Sequence, residues 1–246
     1  MVGDRDGAGP AGGIDGVLDR MRAIDGALPG RDGAAVFNRM YLAVTEDVAA
    51  SLTRPGIFAD PAFMHRLDVV FAGRWLEAYD AAARAATSGR VPRAWAPLFE
   101  CRDDPGVLPV QFALAGMNTH IAHDLPLAVV RTCVDLATEP GAPGVRADYE
   151  AVNALLAARE AAVRRSFLST HGLALDRLVG PAAHLLASWK IDKARDAAWV
   201  HAETLWALRH TTALAARYRR TLARSVGLVS RLLLTPVVDP AVAPRR

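Results

Sequence analysis

Apolar residues recur at spacings of three and four along nearly the whole chain, and nowhere do they alternate with polar ones. Ile14, Val17, Leu18, Met21, Ile24 and Leu28 set the pattern, and Phe37, Tyr41, Val44 and Val48 resume it after the break from Pro29 to Gly33. A helix brings positions three and four apart onto one face, whereas a half-buried strand needs a period of two. With no alternating run and no hairpin turn, the chain reads as all-α, a helical bundle of about seven or eight helices.

Proline and glycine divide this pattern. Pro55-Gly56 ends a second helix, and Asp60 followed by Pro61 supplies a cap and a first-turn proline for a third, running to about Ala86. From Thr87 to Gly106 the prolines at 92, 97 and 105 leave room for one short helix, which Trp95 and Phe99 should pin to the core. An apolar segment from Val107 to Leu136 follows, and then a helix carrying Tyr149, Val152, Leu155, Leu156, Val163 and Phe167. Leu173 to His210 reads as helical with a break at Gly180-Pro181, and Thr212 to Leu234 as a last amphipathic helix.

A chain of 246 residues, 52% of them apolar and with no shift in composition, can bury one substantial core, which we place over residues 14–236 as a single domain. Residues 1–13, rich in Gly and without apolar period, are expected to form a disordered tail, and residues 237–246 a flexible C-terminal one.

Composition also narrows the function classes. The net charge of +3 is small and both signs are spread along the chain. Arg217, Arg219, Arg220, Arg224 and Arg231 lie at helical spacing with no interleaved aromatics, which suits a solvated face better than a nucleic-acid site. Cys101 and Cys133 are isolated, so neither a zinc knuckle nor a disulfide framework is expected. No basic stretch leads into an apolar run at the N-terminus and no long uncharged apolar stretch occurs, so a cytoplasmic location without a membrane span is expected.

One stretch stands out chemically. Gly116-Met117-Asn118-Thr119-His120-Ile121-Ala122-His123-Asp124-Leu125-Pro126 sets two histidines and a carboxylate inside an apolar helical segment. On a helix His120 and Asp124 share a face, with His123 beside them, the spacing used for a metal ion or for proton transfer. Pro126 should kink the helix and free the carbonyl of Ala122. An open metal site usually takes at least three protein groups, so another helix must contribute. Asp68 is the first choice, because it falls within the apolar stripe of Met64, Leu67, Phe71 and Trp75, where a lone carboxylate is costly. The competing reading pairs it with Arg74 or Arg39. We therefore take His120, His123, Asp124 and Asp68 as candidate ligands of a divalent zinc, iron or manganese ion.

A second acidic cluster, Asp192 and Asp196 one turn apart, could form the opposite wall, and these two with His123 are the candidate catalytic groups. The plainer reading is local pairing with Lys and Arg on a solvated helix, although Trp189, Trp199 and Trp206 turn much of that helix inward. Asn38, Tyr41 and Asn118 could orient ligands or merely satisfy interior hydrogen bonds. Asn118 lies nearly opposite His120 on an ideal helix. His65 reads as a surface residue, His184 and His201 lack a recognised ligand pattern, and His171 and His210 sit at helix ends.

The segments 37–42, 58–63, 92–99, 116–126 and 191–196 together resemble a family of actinobacterial proteins known only as a domain of unknown function. The resemblance covers nearly the whole chain after the tail and implies a soluble single-domain bacterial protein. More locally, His120 and Asp124 resemble the His-x-x-x-Asp element of zinc-dependent phospholipases C and P1-type nucleases. Those enzymes use several such elements and an N-terminal tryptophan ligand, whereas this chain has one element. His123-Asp124 is also similar to the adjacent pair of HD-type phosphohydrolases, in which His65 and Asp192 would take the remaining ligand positions. The leading expectation is thus a metal-dependent enzyme, a hydrolase by resemblance, acting on a small-molecule substrate. The alternatives are a metal-free acid–base enzyme, a cyclase or isomerase of a small apolar metabolite, and a non-catalytic helical interaction protein.

Overall fold

The computed structural model describes residues 13–85, 90–153, 156 and 190–237. Helices α1 (Gly13–Ala27), α2 (Gly33–Leu52) and α3 (Pro61–Ala83) pack on one another, and the short α4 (Ala96–Cys101) leads into α5 (Pro109–Thr119). A π-helical turn (His120–Asp124) joins α5 to α6 (Leu125–Asp135). Helix α7 opens at residue 145 and is described to 153, and α8 (Ile191–Ala207) and α9 (Thr212–Leu233) close the bundle. No strand occurs among the described residues, so the fold is all-α, as the periodicity predicts.

Helix starts follow local chemistry. Asp60 Oδ1 accepts the backbone N–H of Phe63 at 2.9 Å, with Pro61 behind it, as its sequence suggests. Asp148 on α7 accepts the N–H groups of Ala59 and Asp60 at 2.8 and 2.6 Å, fixing where α3 begins. Helix α2 starts at Gly33, four residues before the stripe that opens with Phe37. Asp32 caps it through the N–H groups of Ala34 and Ala35, while its other oxygen takes the Arg102 guanidinium. Gly33 is required there because a side-chain carbon would collide with the Phe112 ring.

Two apolar clusters fill the bundle. One gathers Val17, Met21, Phe37, Trp75, Trp95, Leu98 and Phe112 between α1 and α5. The other gathers Phe63, Leu67, Leu125, Val129, Tyr149 and Trp199 between α3 and α8. Trp95 is fully buried and Phe99 packs beside it, so the linker is pinned as expected. Val44 and Phe71 touch both clusters, and the ionisable groups of the central segment lie at this seam. Among the described residues no helix is long and apolar enough to cross a membrane.

Candidate functional site

Pro126 shapes the centre of the molecule through the hydrogen bond it cannot make. Without an N–H it would leave the Ala122 carbonyl unpartnered in a regular helix. The chain widens instead, and Leu125 donates to the carbonyl of His120, five residues back. Such a π turn holds one residue more than an α turn and re-aims the side chains it carries. The expected kink is therefore a widened turn, and it carries both histidines and Asp124. Gly116, one turn upstream, lies flat against Phe37, where any side-chain carbon would collide with the ring.

Asp124 is the hub of the site. Its Oδ2 faces His120 Nδ1 at 3.0 Å and accepts the Trp95 indole N–H at 2.9 Å, while its Oδ1 faces His123 Nδ1 at 2.7 Å. The residue is 2% exposed. Burial alone would raise its pKa, but the hydrogen bonds and charges of the two histidines hold it well below the usual carboxylate range. An ionised carboxylate only accepts, so both Nδ1 atoms carry their hydrogens toward it. Burial lowers the His120 pKa against the pull of Asp124, with the nearby Arg74 charge acting in the same direction as burial. A neutral ring with Nδ1 protonated presents a bare lone pair at Nε2.

That lone pair sits in an aromatic box. The Phe71 ring stacks on His120 at 3.7 Å between centroids, and Tyr41 meets it edge-on at 4.4 Å. Phe37 and Trp95 complete the walls at 5.8 and 6.0 Å. His120 Nε2, Tyr41 Oη and Asp68 Oδ2 are all buried, and none has a hydrogen-bond partner among the described residues. Three unpartnered polar atoms around one box are uncommon in a folded interior. Asp68 is 8% exposed, and burial lifts its carboxyl from 3.8 to about 7. The Tyr41 phenol is pushed up by burial and then by the charge of Asp68, so it stays a hydroxyl.

A family model described as "Family of unknown function (DUF5995)" matches residues 14–236. The chain belongs to that family. No curated protein and no solved structure matches it. The expectation of a family of unknown function spanning nearly the whole chain is thereby met, and the chemistry of this DUF5995 member rests on its own geometry.

Of the candidate ligands, His120, His123 and Asp124 are brought together, but each histidine turns Nδ1 to the carboxylate. Among the described residues no three His, Cys, Asp or Glu side chains are gathered around a common point that would suit a metal ion. Asp68 lies on α3, close enough to Tyr41 for its charge to act on the phenol. It is not paired with either arginine considered for it, since Arg39 bonds Asp25 at 2.9 Å and Arg74 makes no hydrogen bond or ion pair among the described residues. Helix α8 packs on the π turn, but through a buried face that includes Ala198, Trp199 and Ala202. Asp192 is exposed, and Asp196 lies 3.7 Å from Arg146 and 3.6 Å from Lys193, the pairing of the plainer reading.

The remaining polar candidates have structural partners. Asn38 donates to the Met21 carbonyl and accepts the Trp75 indole N–H, at 2.8 and 2.9 Å. Asn118 turns to α9 and bonds Ser230 at 2.9 Å. His65 and His210 are exposed, and His201 meets the Tyr218 hydroxyl at 2.7 Å. His171, His184 and Trp189 lie outside the described residues. Trp95, Phe71 and Arg74 were not singled out as site residues by the sequence. Each had a signal: Trp95 its place in a proline-rich linker, Phe71 its stripe shared with Asp68, and Arg74 one helical turn beyond Phe71.

Proposed function

We propose that this protein is an acid–base enzyme acting on a small, largely apolar molecule, with His120 Nε2 as the base. The observation that carries the reading is the division of labour on one ring. Nδ1 is tied to Asp124, and Nε2 is buried, neutral and without a partner among the described residues. A carboxylate that fixes the tautomer and steadies the cation formed on proton uptake is the arrangement general bases use. Asp68, lifted to about 7, would supply a proton near neutral pH and Tyr41 a hydrogen bond. Phe71 and Arg74 are only partly buried, so the box lies one side chain below the surface and rotation of Phe71 would open it.

Carbon-acid exchange tests this without knowledge of the physiological substrate. Cyclohexanone and 2-tetralone in D2O should gain α-deuterium faster with the protein than in buffer, and His120→Gln should remove the acceleration while remaining folded by circular dichroism. Equal exchange with the parent protein and His120→Gln would count against His120 as base.

A second reading draws on the same unpartnered atoms. A divalent zinc, iron or manganese ion held by His120 Nε2 and Asp68 Oδ2 would activate water for hydrolysis, with two protein ligands against the usual three or more. Metal analysis of protein expressed with all three ions, and the effect of a chelator on stability, separate this reading from the first. Bound metal in stoichiometric amount, lost in His120→Gln, would favour it.

A further inference from the structure

Arg74 is the charged group of this seam that nothing among the described residues answers. Its guanidinium makes no ion pair or hydrogen bond among the described residues, and its Nε is buried without an acceptor. Arg66 on the same helix and Arg39 on α2 are paired, with Asp135 and Asp25. A buried guanidinium N–H left without a partner is costly, and nearby solvent does not reach this atom. Six residues separate Arg74 from Asp68 on α3, about 240° around the helix, so the carboxylate on the same helix is out of its reach. Three residues separate it from Phe71, which places it beside the ring that covers His120.

We propose that Arg74 is an anion-binding residue of the candidate site and that the substrate is a small carboxylic acid with an apolar or aromatic body. This rests on the acid–base reading in that it assigns the substrate class of the same box. The vacant atom is informative, because side-on pairing of a guanidinium with a carboxylate uses Nε together with one terminal nitrogen. One guanidinium balances one negative charge. A phosphate dianion would leave a surplus negative charge near Asp124, which is already ionised. The walls left for the rest of the molecule are the rings of Phe71, Tyr41 and Phe37. Charge and shape thus agree on a monoanion joined to an apolar group, its carboxylate on Arg74, reached when the Phe71 ring turns aside, and its body toward His120.

Binding measured without turnover tests this separately from catalysis. Phenylacetate, benzoate and hexanoate are titrated against the full chain by calorimetry, with phenylacetamide and inorganic phosphate as comparison probes. At least one of the three acids should bind at or below about millimolar concentration. The matched neutral amide and phosphate should each bind at least about tenfold more weakly. Arg74→Gln should weaken acid binding by at least about tenfold with a melting temperature no lower than the parent's, and Arg74→Lys should recover part of the binding. The proposal is overturned if no acid binds, if the amide or phosphate binds as well as the acid, or if folded Arg74→Gln keeps its affinity. Should Arg74→Gln fail to fold, folded Arg74→Lys decides, with undiminished acid affinity and equal amide affinity overturning the assignment. Loss of this binding pattern with deuterium exchange intact would leave His120 as base and remove only the carboxylate. Intact binding without exchange would do the reverse.

Discussion

Trp95 donates its indole N–H to Asp124 Oδ2 at 2.9 Å, tying a proline-bounded linker to the π turn at the middle of the bundle. The same oxygen faces His120, so one buried atom serves both a structural and a chemical partner. Trp95→Phe keeps most of the packing volume and removes the donor. We expect a loss of about 1–3 kcal/mol in urea unfolding, the range for a bond to a buried charged group. The His120 ring should keep its Nδ1–H tautomer, readable by nitrogen-15 NMR, because its own bond to Asp124 remains. A variant as stable as the parent would show that the indole bond contributes nothing net.

Asp124→Ala should be more damaging than any surface change, by about 3–5 kcal/mol, since it leaves two imidazole donors and an indole facing a void. Asp124→Asn keeps the shape but offers one acceptor, so one histidine must turn or switch tautomer. Because the native carboxyl is held below its unfolded value, the stability it confers is full above about pH 4 and fades as pH falls through the native value. Acid unfolding of the parent should therefore be steeper below pH 4 than that of Asp124→Asn. Parallel curves would contradict this.

Asp68 acts in the opposite direction. Its native pKa, lifted from 3.8 to about 7, means that the folded state keeps a proton the unfolded state has released. Its contribution to stability is greatest at low pH and falls as pH rises from about 4 to about 7, by up to about 4 kcal/mol. His120, lowered by burial, has the reverse slope and gains as pH rises through the unfolded histidine value near 6.5. Asp68→Asn should remove the first slope and expose the second. Urea midpoints at pH 5 and pH 8 read the difference: the variant should gain stability relative to the parent chiefly at pH 8. An equal effect at both values would rule out a titrating Asp68.

Gly116→Ala is predicted to destabilise by about 1–3 kcal/mol, although alanine is the better helix former, because the new carbon would collide with the Phe37 ring. Phe37 forms one wall of the box around His120, so the shift should also appear in the His120 ring resonances. A stabilised variant with unchanged resonances would show that Phe37 moves aside at no cost.

Asp32→Ala removes a helix cap and the carboxylate that takes Arg102. The cap alone is worth about 1 kcal/mol, and an uncompensated, partly buried arginine adds to that. Asp32→Asn should keep most of the capping term and lose the ion pair. Equal losses for the two variants would mean that the Arg102 ion pair, not the cap, carries the effect.

The helices were legible because their cause is local. Period, Asp60-Pro61 and the proline breaks act within a few residues, so boundaries at the ends of α1, α2 and α9 fall within a residue or so of expectation. The start of α2 was missed because Asp32 sits in a segment whose Pro and Gly content reads as a break, and its value as a cap depends on Arg102. In the central segment, pairing of His120 with Asp124 follows from spacing, whereas the π turn depends on how the widened backbone packs on α3 and α8.

The amino-acid order by itself determined an all-α bundle, the placement of two histidines and a carboxylate on one turn, and the distortion at Pro126. Those follow from periods and from a missing N–H, which need no distant partner. Tertiary structure alone decided that Asp68 stands near Tyr41 with no arginine partner among the described residues, that Asp192 and Asp196 face outward, and that Trp95 completes the Asp124 hub. Each of these depends on which helix faces which across the bundle, and on the burial that follows. Burial then sets protonation, lowering the His120 pKa and lifting the Asp68 carboxyl to about 7.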